Sequence, residues 1–161
     1  FLLHRTMKTI KIYCIVILAA LLLSAYGSLA ADWGFRGLLP RGTGYYDKNS
    51  IRKISDHIYQ VWTVTIYNER GRADAYAMLL KQEKAPGNPA VLNQESILLE
   101  LDCLQGKYRI VSINIYDEKD TLLFSVPETN DGWHDIIPNS INEKLNNAVC
   151  KAVDNHRDGN P

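Results

Sequence analysis

Cys103 ends a stretch in which Ile97, Leu99 and Leu101 alternate with Leu98, Glu100 and Asp102, and Cys150 lies in a run whose apolar residues recur at helical spacing. A bond between them ties a helix to the inward face of a strand, and few arrangements of this chain satisfy that link. It would close a loop of roughly 48 residues and stabilise the fold by about 4 kcal/mol through lost chain entropy. The alternative is a pair of free, buried thiols. No CxxC motif accompanies them, so thiol redox catalysis is not indicated.

The N-terminus says which alternative to expect. From Met7 the chain reads Lys8-Thr9-Ile10-Lys11, then twelve apolar residues from Ile12 to Leu23, then small residues at Ser24, Ala25, Gly27, Ser28, Ala30 and Ala31. A positive start, a short apolar centre and a small-residue end describe a secretory signal peptide, whereas a membrane span needs roughly 20 apolar residues. Residues 1–30 are read as leader, with the signal peptide at 7–30, cleavage after Ala30, and Phe1 to Thr6 as a remnant ahead of the start methionine. Cys14 leaves with the leader. Tyr26 stands where a bacterial lipoprotein would carry its lipidated cysteine, so no stable membrane anchor is expected after cleavage. An exported chain with two remaining cysteines sits where thiols oxidise, which favours the Cys103–Cys150 disulfide.

The full chain carries 18 basic and 18 acidic residues, but Arg5, Lys8 and Lys11 belong to the leader. Without them 15 basic residues face 18 acidic ones. A mildly acidic domain lacks the cationic footprint that holds a phosphate backbone, so nucleic acid is not an expected partner. With 46% apolar and 22% charged residues the remainder is globular.

Residues 31–161 are expected to form one domain with its core at about 43–154. Residues 32–42, with Gly34, Gly37, Pro40 and Gly42, read as an irregular lead-in, and Thr43 to Asp47 as a short strand. Ile58 to Tyr67 is rich in β-branched and aromatic residues, and alternation puts Ile58, Trp62, Val64 and Ile66 on a buried face, with Tyr59, Thr63, Thr65 and Tyr67 opposite. Ala73 to Glu83 favours helix by composition. Pro86 to Pro89 breaks the chain, and three strands joined by short turns follow: Ile97–Cys103, Tyr108–Tyr116 and Leu122–Val126. In the middle one Val111, Ile113 and Ile115 share a face, and Tyr108, Ile110, Ser112, Asn114 and Tyr116 the other. The last element is a helix opened by a capping box, Ser140 to Glu143, with Ile141, Leu145, Ala148, Val149, Ala152 and Val153 as its apolar stripe; His156 to Pro161 should fray.

Chemistry is sparse. His57, His134 and His156 have no metal-ligand spacing to one another or to cysteine, so no metal and no cofactor is expected. No serine sits in a nucleophile elbow. Glu100 and Asp102 share a strand face as a glycosidase pair would, though solvent-facing acids read the same way. Trp133-His134-Asp135 could orient an imidazole, but the commoner reading is an edge loop with Trp133 packed down and His134 solvated. No catalytic residue is assigned. Four tyrosines, Tyr59 and Tyr67 on one strand and Tyr108 and Tyr116 on another, fall on the outer sheet face by alternation, and tyrosine supplies rigid contact area with a polar tip. They are the candidate binding face, unless residues 68–96 cover it or tyrosine merely suits a strand.

Tyr45-Tyr46-Asp47 with Ser50-Ile51, then Val61-Trp62, Leu101-Asp102-Cys103, Lys107-Tyr108-Arg109, Trp133 with Ile136, Pro138-Asn139-Ser140 and the late Cys150 together resemble the bacterial surface-adhesin protein E family over nearly all of the mature chain. The resemblance implies an α+β fold: an antiparallel meander of about six strands with a C-terminal helix packed on one face and pinned by the disulfide. It implies a non-enzymatic surface or secreted protein that binds extracellular-matrix, serum or envelope proteins and forms a homodimer. Asp120 stands where that family often has glycine. The competing function is a periplasmic enzyme inhibitor or small hydrolase using a cleft between helix and sheet.

Overall fold

Ile58–Tyr67 (β4) and Leu92–Asp102 (β5) pair antiparallel along nine register positions and form the middle of the sheet. The structure is a computed structural model that describes residues 31–157, with side chains through Lys151; the leader, Cys14, Tyr26 and residues 158–161 lie outside the described residues. On one side of β4 stand Gly42–Asp47 (β2) and then Trp33–Leu39 (β1), with the two-residue Arg52–Lys53 (β3) further along β4. On the other side Lys107–Asp117 (β6) follows β5, and Leu122–Val126 (β7) and the short His134–Asp135 (β8) share the outer edge of β6. The main path runs β1-β2-β4-β5-β6-β7, all antiparallel, so the expected run of about six strands is present, with β3 and β8 making the sheet eight-stranded. Two helices complete the fold, Glu69–Lys81 (α1) and Ile141–Arg157 (α2). Among the described residues no helix is long and apolar enough to cross a membrane.

The lead-in at 32–42 is a strand, contrary to the expectation from its glycines. Gly34 is required there by packing: a Cβ on it would lie 2.4 Å from the Tyr46 ring. The strand then bulges between Phe35 and Gly37 and resumes its pairing with β2.

Both helices lie on one face of the sheet. Leu145 and Val149 of α2 are fully buried with Tyr59, Val61, Leu99 and Leu101. Burying such an aliphatic side chain contributes about 1.5–3 kcal/mol. Ala75 and Leu79 of α1 pack on the same face further along, with Tyr67, Leu92 and Ile115. Residues 68–91 therefore reinforce the face that α2 covers and leave the other open. The helix-covered face of β4 is consequently Tyr59, Val61, Thr63, Thr65 and Tyr67, the reverse of the alternation reading; on the other face Val64 is buried as expected but Ile66 is 42% exposed.

Helix α1 starts four residues earlier than composition indicated, because the Asn68 side chain accepts from the Gly71 amide at 2.9 Å and caps it. At α2 the Ser140 hydroxyl accepts from the Glu143 amide at 3.2 Å as expected. The Glu143 carboxylate, however, reaches the amide of Asn139 at 2.7 Å rather than that of Ser140, since Asn139 turns back at φ 62°. Helix α2 continues through His156 to Arg157. Cys103 and Cys150 are bonded, with Cα atoms 5.8 Å apart, so α2 is pinned to the end of β5 as the sequence led us to expect.

Candidate functional site

The helix-free face carries the exposed apolar side chains. Pairing carries one face from Trp33, Phe35 and Leu38 of β1 through Tyr45 of β2 and Ile66 of β4 to Gln94 of β5 and Tyr116 of β6. Phe35 is 64% and Leu38 80% exposed, and the Phe35 ring meets Tyr45 edge-on at 5.9 Å. Beside this ridge an open concavity of about 520 Å³ runs across the strands, from Trp33 and Tyr45 over Ile66 to Gln94, Tyr116 and Asp120. Outer strand β1 borders it. The outer edge of β6, by contrast, is occupied along its length: β7 covers Ile113 to Tyr116, β8 covers Lys107 and Tyr108, and between them the Thr129 amide donates to Val111 and the Asp131 carboxylate accepts from the Ile110 amide.

The four tyrosines do not form one surface. Tyr59 and Tyr67 are core residues, 4% and 5% exposed. Tyr67 donates to Glu95 at 3.2 Å, and burial, reinforced by that carboxylate, pushes its hydroxyl pKa well above the ordinary range. Tyr108 is half-buried among the residues beneath α2, its ring 5.4 Å from His134. Only Tyr116 reaches the open face. Leu98 pairs with Ser112 but Leu99 with Ile110, so Val111 is an extra residue and reverses the alternation of β6. Tyr108 and Ile110 thereby join Ile113 and Ile115 under the helices. The residues the sequence reading missed, Trp33, Phe35 and Leu38, carry a recognisable signal: large apolar side chains in a segment set aside for its glycines.

Between the helices the covered face is polar. Arg41 approaches Glu95 at 3.3 Å, with its guanidinium 5.5 Å from the Tyr67 ring centroid, and Arg36 donates to the Asn142 side chain of α2. Burial lowers the Arg36 pKa. These arginines hold β1 and the β1–β2 turn against the helical layer.

Neither member of the carboxylate pair is free. Glu100 accepts from Gln60 at 2.8 Å and from Arg109 at 2.6 Å, and the Arg109 guanidinium lies 5.0 Å from the centroid of the Trp133 ring. Asp102 accepts from the amides of Leu104 and Gln105, both at 2.9 Å, and shapes the β5–β6 turn. His134 is paired rather than merely solvated, and its partner is Asp131 at 2.8 Å, not Asp135, which lies 3.7 Å from Lys107. The hydrogen bond from His134 is the main reason that the Asp131 carboxyl sits below the usual range, helped by the Ile110 amide. Among the described residues no cluster of three or more histidine, cysteine or acidic side chains could hold a metal ion.

The family model described as surface-adhesin protein E matches residues 39–151. Strand β1 and its exposed ridge thus lie almost wholly ahead of the matched span. Among solved structures, crystal form II of Haemophilus influenzae protein E is similar at 14% identity and a TM-score of 0.45, over 68% of this chain and 80% of that one. No curated protein matches the chain.

Proposed function

We propose that this chain, which belongs to the surface-adhesin protein E family, is an exported, non-enzymatic module that binds another protein through the helix-free face of its sheet and the adjoining strand β1. One observation carries the reading: both helices pack on one face, so Trp33, Phe35, Leu38 and Ile66 stay exposed on the other. An apolar patch of this kind, rimmed by polar side chains, marks an interaction surface. Strand β1 adds a row of backbone groups at the edge of the sheet, available to a partner strand or to β1 of a second copy. The family implies a position at the cell surface, reached here through the leader at residues 7–30. The partner is an extracellular or envelope protein. The cleft-enzyme reading draws no support from Glu100 or Asp102, which are engaged in structural hydrogen bonds.

The test is capture from matrix extract and from intact cells by the chain beginning at Ala31, beside a Phe35→Ala/Leu38→Ala variant. Capture that survives the double variant unchanged would place the interface elsewhere. Sedimentation of the same two proteins reports whether β1 joins copies of the chain.

A further inference from the structure

Asp120 occupies a backbone conformation that glycine adopts more easily, at φ 59°. Aspartate tolerates this region better than most residues, but a Cβ still costs energy there. The side chain is fixed by its surroundings: Gln94 on the neighbouring strand donates to Asp120 Oδ1 at 3.1 Å. The second carboxylate oxygen remains available at the end of the concavity that Tyr116 also lines. Of the described residues that line this concavity Asp120 alone is charged, and its turn carries two further acids, Asp117 and Glu118, against one base, Lys119. The concavity therefore combines aromatic rings with a carboxylate. That chemistry selects a cation: ring faces attract it through their quadrupoles and the carboxylate accepts its hydrogen bonds. Among biological cations, a guanidinium can stack flat on a ring and donate to a carboxylate at once.

We propose that the concavity takes an arginine side chain of the bound protein, its guanidinium on Asp120 and Tyr116, with the partner's chain continuing over Trp33 and Tyr45 toward Phe35. The inference rests on the protein-binding reading and specifies the anchor that the partner must carry. The concavity crosses strands β1, β2, β4, β5 and β6, so the segment it holds is extended. With strands about 4.8 Å apart, those five span about 19 Å from first to last, or about six residues of extended chain.

The probe is N-acetyl-arginine amide, with its uncharged citrulline counterpart as control, titrated to tens of millimolar while the Gln94 side-chain amide and the Trp33 indole are followed by NMR. Saturable shifts with the arginine compound are expected, at least tenfold weaker with citrulline and lost in Asp120→Asn and in Asp120→Gly. The glycine variant suits its backbone conformation, so loss of binding in a protein that melts no lower is not a folding defect. Equal shifts with citrulline, unchanged shifts in Asp120→Asn, or no shift at all overturns the proposal. The two readings fail separately. If protein capture needs Phe35 and Leu38 but is indifferent to Asp120→Asn, the arginine subsite is wrong and the binding face stands. If the arginine compound binds as described and no protein is captured, the subsite stands and the protein-binding reading falls.

Discussion

Tyr108 and Tyr116 lie eight positions apart on strand β6 and project from opposite faces of the sheet, Tyr108 beneath α2 and Tyr116 into the open concavity. An even separation in an unbroken strand puts two side chains on one face, and the extra residue Val111 reverses that. The bulge thus decides which tyrosine is structural and which is available to a ligand.

The division between covered and open faces has an energetic signature. Tyr59→Ala empties a core site beneath α2 and should cost about 3–5 kcal/mol. Phe35→Ala, at a site 64% exposed, should stay within about 0.5 kcal/mol of the wild type. Urea denaturation midpoints separate the two, and a large loss for Phe35→Ala would mean that the open face is covered.

Gly71 sits under the carbonyl of Arg41, and a Cβ there would come within 2.0 Å of that oxygen and 2.8 Å of the Tyr67 ring. Alanine gains about 1 kcal/mol in helix propensity over glycine. Overpacking against a backbone oxygen that cannot rotate aside costs about 1–3 kcal/mol or more. The clash wins, so Gly71→Ala should lower the melting temperature; an increase would show that α1 sits further from the β1–β2 turn.

Asp131 links pH to the closure of the β6 edge. Its folded pKa is lowered, first by the hydrogen bond from His134 and then by the Ile110 amide. A depressed carboxyl contributes stability that is complete above its unfolded pKa, about 3.9, and is lost as pH falls through the lower folded value. Asp131→Asn should therefore flatten part of the acid limb of the stability curve below about pH 4.5. Identical acid limbs for wild type and variant, traced by denaturation midpoints from neutral to acid pH, would falsify this linkage.

The disulfide contributes chiefly by restricting the unfolded chain. With its cysteines 47 positions apart in sequence, removing both as Cys103→Ser/Cys150→Ser should cost about 4 kcal/mol. Hydrogen exchange should then rise first in α2 and in strand β1, which α2 holds through Arg36 and Asn142. Exchange rising in α1 alone would contradict that route.

Much of this architecture was legible because its signals are local. The alternation from Ile97 to Cys103, the helical stripe of Leu145 and Val149, and the two cysteines that follow the expected leader sufficed for the meander, the terminal helix and the bridge. What was not legible depends on partners distant in sequence. Gly34 reads as a strand breaker until Tyr46 is seen to lie over it. Thr63 and Thr65 read as solvent-facing until they are found buried on the face that the helices flank. Val111 looks like any other strand residue, since nothing in its identity marks it as the unpaired one. The tyrosine surface dissolved because the helices bury Tyr59 and Tyr67 and the Val111 bulge turns Tyr108 away from Tyr116, and the exposed ridge was hidden in the segment whose glycines discouraged a strand.

The most direct measurement is protein capture by three forms of the chain beginning at Ala31 compared side by side: wild type, Phe35→Ala/Leu38→Ala on the open face, and Leu80→Ala at a 54% exposed leucine of α1. The expected result is capture by wild type and by Leu80→Ala, at least tenfold weaker for the double variant, with all three equally folded. Capture lost with Leu80→Ala and retained by the double variant would contradict the account and move the binding surface to the helical layer.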